Sequence, residues 1–215
     1  APGLLANDSD PDTGDTLSVS TASVVSALGA AVDVYLTGSF SYEPQGVEAI
    51  VALGAGDVAS DTFSYTATDS AGLEDTATVT VAVSGVNDGP EAVDDTYATE
   101  ADTVLSVDAP GVLGNDTDVD AGDTLSVTGA DAESAAGASV SVGADGSVSY
   151  DPAGSSVLLA LGAGEVQEDT FSYTVEDEAG ASDTATVTVE VSGVNDVPEA
   201  VDDTYATEAD TVLSV

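Results

Sequence analysis

Residues 84–107, SGVNDGPEAVDDTYATEADTVLSV, return at residues 192–215 as SGVNDVPEAVDDTYATEADTVLSV, with Gly89 against Val197 the one difference. An identity of this length, set between an alternating Val/Thr run and a second apolar run, reads as the junction between copies of one domain. Subtracting Pro90 from Pro198 fixes the offset at 108, and that offset also aligns Ala1 with Ala109 and Tyr42 with Tyr150 without a gap. Roughly two-thirds of the paired positions are identical, so the chain is an internal repeat.

The 215 residues hold nearly two periods, and a unit of this size can bury a core of its own. The cut ignores domain edges. Residues 1–88 are expected to form a first repeat lacking its first strand, 89–196 a complete second repeat, and 197–215 the first strand of a following one. With no Met anywhere, the chain reads as a processed product or a window on a longer array.

Charge is the second constraint. There are 41 acidic residues and no Lys, Arg or His. Phosphate contacts depend on cationic side chains, which excludes nucleic acid, and an anionic membrane surface is excluded on the same ground. Self-repulsion must be met by screening or by bound cations. Most of the carboxylates read as the solvated acidic surface of a halophile; a minority have ligand spacing. No Cys is present, so neither a disulfide framework nor a thiolate metal site exists. No apolar run reaches the length of about 18 residues that a spanning helix needs.

Along the chain, DTLSVS (15–20) reads as a short strand, and the dissimilar stretch 21–30 as an exposed loop or edge. Residues 31–36 and 39–42 read as strands around a turn at Thr37-Gly38, with Ala144-Asp145-Gly146 the clearer hairpin signal in the second copy. VEAIVAL (47–53) fits a helical turn or a strand equally well. DTFSYTATD (61–69) alternates with Phe63, Tyr65 and Ala67 on one face. DTATVTVAVS (75–84) is the strongest strand, with Ala77, Val79, Val81 and Val83 inward. Short strands, regular turns and no 3.6-residue period predict an all-β fold: tandem Greek-key β-sandwich domains in a linear array. With 5% aromatic residues the core is lean, and cations at the domain ends are expected to support it.

LGAGEVQEDTFSYTVEDEAGASDTATVTVEVSGVNDVP (161–198) and NDTDVDAGDTLSV (115–127) resemble the VCBS and cadherin-like (bacterial Ig-like) tandem repeats of large microbial surface proteins. The resemblance covers essentially the whole chain, twice. It implies a seven-stranded Greek-key sandwich, an extracellular location and a role as adhesin stalk or fibre, with Ca²⁺ between successive domains. Carried over residue by residue, it implies linker ligands at Asn87, Asp88, Asn195 and Asp196, and Asp-x-Asp loops at Asp10 with Asp12 and at Asp118 with Asp120. It further implies Asp69 and Asp177 at the end of the sixth strand and Glu100 and Glu208 at the break of the first. The acidic signature before the sixth strand is only loosely echoed, by Asp57 and Glu165. The chemistry agrees independently: Ca²⁺ takes about six to eight oxygens, and alternate Asp residues in a loop can converge on one point. A site drawing Asn87 and Asp88 together with Asp118, Asp120 and Asp177 would collect enough. The competing reading is a solvated acidic turn. Asn7-Asp8-Ser9 and Asn115-Asp116-Thr117 are N-x-S/T sequons, although a turn Asn beside a chance Ser or Thr explains them more simply.

Without His, Cys, Lys or Arg, the usual bases, nucleophiles and anion clamps are missing, and the expected class is non-enzymatic. Carboxylates alone could cleave glycosides, but each acidic cluster recurs in both copies and lies in loops. The leading expectation is a structural module of an extracellular fibre or adhesin stalk. The alternative is a carbohydrate-binding or cell-adhesion recognition module, for which an exposed aromatic platform is wanting. The expected partners are neighbouring copies of the chain, head to tail, either within one continuous polypeptide or by strand exchange between subunits, with surface glycans or cells as further candidates. Residues 199–215 are expected to project away from the second repeat.

Overall fold

The computed structural model describes residues 3–20 and 22–215. Thirteen strands are present among them: β1 (Ser18–Val19), β2 (Ala22–Val25), β3 (Ala31–Val34), β4 (Phe40–Glu43), β5 (Val58–Thr68), β6 (Glu74–Ser84), β7 (Asp95–Glu100), β8 (Leu105–Val107), β9 (Ser126–Ala130), β10 (Ser139–Val142), β11 (Val148–Asp151), β12 (Val166–Glu176) and β13 (Ser182–Ser192). The fold is all-β, as the alternation predicts. The ambiguous VEAIVAL stretch is a single α-helical turn, Glu48–Val51, with Ile50 buried. The 15–20 strand is only two residues long, and the variable stretch supplies edge strand β2, with Thr21 outside the described residues.

In the second repeat one sheet runs β7-β13-β12-β9 and the other β10-β11-β8. Val187, Val189, Val191, Phe171, Tyr173 and Val175 of the first sheet meet Val140, Val148 and Tyr150 of the second in one core, which makes a sandwich. The expected first strand is divided. Glu91 forms only an isolated bridge to Thr117; β7 then runs parallel to β13, from Asp95 opposite Val187 to Glu100 opposite Ser192. After a turn the chain changes sheets, and β8 pairs antiparallel with β11. Ala101, at the crossing, is buried in the core.

The first repeat has sheets β1-β5-β6 and β2-β3-β4, and β2 stands where the second repeat has only an isolated bridge from Glu133 to Ser139. Among the described residues no strand pairs with the outer edge of β6 or β4. The inward parity of β6 is the predicted one, but its burial differs from that of β13. Val79, Val81 and Val83 are half-buried and Ala77 is exposed, whereas Val187, Val189 and Val191 are fully buried and Ala185 nearly so. The run DTATVTV, the same at 75–81 and 183–189, is therefore less buried where no strand pairs with its outer edge. From Asn195 onward every residue is exposed, and residues 193–215 contain no strand.

Both repeats carry a buried carboxylate in the long central strand. Asp169 is 2% exposed and accepts hydrogen bonds from the Ser134 hydroxyl, Tyr150 Oη at 2.6 Å, the Ala136 N–H at 2.7 Å and the Thr170 N–H at 2.8 Å. Asp61 has the matching set: the Ser26 hydroxyl, Tyr42 Oη and the N–H groups of Leu28 and Thr62. Hydroxyl and amide donors thus replace the salt bridge that a chain without cations cannot form.

Candidate metal centre at the repeat junction

The linker of residues 85–90 crosses from β6 into the second repeat, and its side chains are held by loops at the near end of that repeat. Asn87 Nδ2 donates to Asp177 Oδ2 at 2.8 Å and to its neighbour's carbonyl, Asp88 O, at 2.7 Å. The Asp88 N–H donates to Asp120 Oδ2 at 2.9 Å, and the Asp120 N–H in turn to Asp118 Oδ1 at 2.8 Å, a local loop bond of the kind Asp favours. The first repeat answers directly, because Ala52 O accepts the Ala121 N–H at 3.0 Å. Asp177 closes β12, where its Oδ1 accepts the Ala181 N–H at 2.8 Å.

Asp118, Asp123 and Asp177 each present an oxygen within 4.8 Å of the others. Asp123 was not among the residues picked from the sequence. Its signal is there in the recurring Asp-x-Asp-x-Gly-Asp order, which places Asp15 likewise after Gly14. The first repeat gathers Asp10, Asp15 and Asp69 in the same way, while Asp12 is exposed and donates its N–H to Asp10 Oδ1.

Electrostatically the junction cluster is unbalanced. Asp118 Oδ2 and Asp120 Oδ1 are buried with no hydrogen-bond partner. Asp123 has its proton affinity pushed up, by burial first and then by repulsion from Asp118, Asp120, Asp177 and Glu178. Asp177 is instead held below the ordinary carboxylate range, chiefly by the Asn87 amide. Two orphaned buried oxygens, crowded anions and a donor set made only of hard oxygens fit a hard divalent cation such as Ca²⁺.

The other sequence-derived residues lie elsewhere. Glu100 sits at the far end of the second repeat, in register with Ser192, where β13 runs out into the next linker. Asn195 and Asp196 in that linker repeat the local Asn-to-carbonyl bond at 3.1 Å but are exposed. Glu208 is on the exposed tail, where its carbonyl accepts the Thr211 N–H. Asp57 and Glu165 flank the linkers through their backbones, their carbonyls accepting the N–H groups of Gly85 and Gly193. Of the sequons, Asn7 is exposed, whereas Asn115 spends its amide nitrogen on the carbonyls of Val93 and Asp94.

A family model described as the bacterial cadherin-like domain matches residues 1–85 and again residues 87–193. The chain belongs to the bacterial cadherin-like domain family. Among solved structures, these cadherin-like repeats are similar to mouse protocadherin-24 EC1-3, with 16% identity, 81% of this chain and 58% of that one covered, and a TM-score of 0.41. Human mucin-like protocadherin EC1-2 gives 16% identity, coverage of 84% and 85%, and a TM-score of 0.42. Mouse cadherin-23 EC22-24 gives 19% identity, coverage of 84% and 53%, and a TM-score of 0.41. No curated protein matches. The cadherin-like fold implies an adhesive or structural repeat role, and no helix among the described residues is long and apolar enough to cross a membrane.

Proposed function

We propose that the chain is a non-enzymatic structural segment of an extracellular fibre or adhesin stalk, stiffened by Ca²⁺ at the junction between repeats and joined head to tail with neighbouring copies. The division into units at residues 1–88, 89–196 and 197–215 belongs to the same proposal. The observation that carries it is the junction itself: linker side chains and backbone bond to the loops that hold the orphaned carboxylate oxygens. The ligands would be Asp118, Asp120, Asp123 and Asp177, with Asn87 and Asp88 from the linker. The corresponding candidates are Asp10, Asp12, Asp15 and Asp69 at the near end of the first repeat. Glu100, Asn195 and Asp196 are those at the far end of the second, with Glu208 belonging to a further junction. A bound Ca²⁺ would supply the positive charge that the sequence lacks. The protein's own contribution is orientation, since the Asp88-to-Asp120 and Asn87-to-Asp177 bonds hold the linker against the loop.

The test is a calcium and chelator titration at low salt, read by calorimetry and small-angle scattering. Chelation is expected to lower the melting midpoint and to make the particle flexible, and Asp118→Asn with Asp120→Asn is expected to reproduce part of both effects. Melting and dimensions indifferent to calcium and chelator alike would overturn the junction site.

A further inference from the structure

The linker leaves β6 through a contact that only glycine permits. A Cβ on Gly85 would lie 2.3 Å from the carbonyl oxygens of both Leu53 and Gly54 and 2.6 Å from the Leu53 carbonyl carbon. These are backbone atoms, so no side chain can swing aside to relieve the overlap. Gly85 is not among the residues with positive φ, and its requirement is therefore one of space, not of backbone conformation. The facing turn is closed on itself, the Asp57 N–H donating to Gly54 O at 3.1 Å, and it grips the linker, Asp57 O accepting the Gly85 N–H at 2.9 Å. The second repeat has the same arrangement: a Cβ on Gly193 would meet Gly162 O at 2.3 Å, and Glu165 O accepts the Gly193 N–H at 2.8 Å.

The turn of residues 52–57 also faces the second repeat. Ala52 O accepts the Ala121 N–H at 3.0 Å, and Gly54 lies against the Asp120 side chain, where a Cβ would stand 3.5 Å from Asp120 Cβ and Cγ. Asp120 is 3% exposed, and its Oδ1 has no hydrogen-bond partner. One turn thus touches the linker and the acidic loop together. Asp88, three positions after Gly85, is the residue whose N–H reaches Asp120 Oδ2 at 2.9 Å.

We propose that Gly85 is a positioning residue of the junction metal centre: its bare backbone seats the linker on the Leu53–Gly54 peptide, and that seating brings Asn87 and Asp88 to Asp177 and Asp120. This rests on the calcium reading above and names the part of the first repeat on which the site depends. The turn of residues 52–57 acts through the linker, setting where its ligands stand. Groups that orient metal ligands change metal affinity by about 10–100-fold when they are removed.

The test is Gly85→Ala, with Gly193→Ala as the matched control that opens the same contact away from residues 87–123. Amide hydrogen exchange is read first, in chelator, so that the seating is measured without metal. Gly85→Ala is expected to speed exchange of the Asp88 and Ala121 amides about tenfold, while the β5–β6 and β12–β13 ladders keep their protection. Gly193→Ala is expected to leave the Asp88 and Ala121 amides as they were. Calcium calorimetry is read second. The binding step that Asp118→Asn with Asp120→Asn removes should weaken about tenfold in Gly85→Ala and stay unchanged in Gly193→Ala. Unaltered exchange at Asp88 and Ala121 overturns the proposal, as does an equal effect from Gly193→Ala, or a calcium step that is present and unmoved by Gly85→Ala. Protection lost throughout the β5–β6 ladder also overturns it, because Gly85 would then support the first repeat's own fold. A calcium step missing from the unsubstituted chain overturns the calcium reading instead, and the exchange result then decides the seating alone.

Discussion

Replacing Asp169 by Asn keeps the shape of the side chain and removes its charge. The substitution leaves one carbonyl oxygen to receive the Ala136 and Thr170 N–H groups and turns an NH₂ toward the Ser134 and Tyr150 hydroxyls, both donors to the native carboxylate. Hydrogen bonds to a charged group contribute about 1.5–3 kcal/mol each, and two are lost. The hydroxyls can rotate to accept, but Ser134 Oγ already accepts the Ala138 N–H at 2.9 Å, so recovery is partial. The expected cost is about 3 kcal/mol, which for a domain of this size lowers the melting midpoint by about 12–24 °C. Tyr150→Phe removes a single donor and should cost about 2 kcal/mol. The assay is chemical denaturation at buffered calcium, with the midpoint falling and the slope with denaturant unchanged. A cost below about 1 kcal/mol for Asp169→Asn would refute the reasoning, since buried ionic groups are sometimes replaceable without loss. A Tyr150→Phe cost exceeding that of Asp169→Asn would assign the effect to the phenolic hydroxyl and not to the carboxylate's charge.

Acid should act in two opposed stages. Asp95 is pushed up to about 6, by burial first and then by nearby Asp116 and Asp94, so its proton favours the folded state and stability is gained as pH falls from about 6 toward 3.8. Asp61 is lowered because donors from Ser26, Tyr42, Leu28 and Thr62 outweigh the opposing effect of burial. Asp183 is lowered by the N–H groups of Ala92 and Thr184. Stability from these two is complete above 3.8 and lost below it. A melting midpoint that rises between pH 7 and 5, falls below pH 4, and loses only its rise in Asp95→Asn is the expected profile; the same rise in both proteins would remove Asp95 as its cause. Monovalent salt should raise the midpoint even with calcium saturating, because screening relieves repulsion that no cationic side chain offsets. A midpoint unchanged from about 0.05 to about 1 M NaCl counts against it.

The alternation of Phe63 with Tyr65, and of Val79, Val81 and Val83, was readable because strand side chains have a period of two and need no tertiary information. The same parity places Asp61 and Asp169 on the core side, but nothing local marks them as satisfied. Their donors, Ser26 and Tyr42 or Ser134 and Tyr150, lie in other strands and loops. The sequence leaves a helical turn and a strand both open at 47–53, because the four residues Glu48–Val51 are too few for a helical period to declare itself. At the junction, the Asp-x-Asp loop and the Asn-Asp linker are visible as motifs, while the bond from Asp88 to Asp120 joins elements 32 residues apart. The reduced burial of β6 could not be read from its own inward residues, because Ala77, Val79, Val81 and Val83 are matched by Ala185, Val187, Val189 and Val191 in β13 and differ in what lies beside them.

The parallel pairing of β7 with β13 has a mechanical consequence. Tension along a row of repeats enters the second repeat near Asp95 and leaves it near Ser192, at opposite ends of one six-residue ladder. Pulled this way the two strands slide past one another, and the cross-strand bonds bear the load together instead of opening one after another from an end. Because β8 is bonded into the opposite sheet, the force is also divided between the two layers. A module connected like this resists such a pull with all six residue pairs of the ladder at once and yields abruptly.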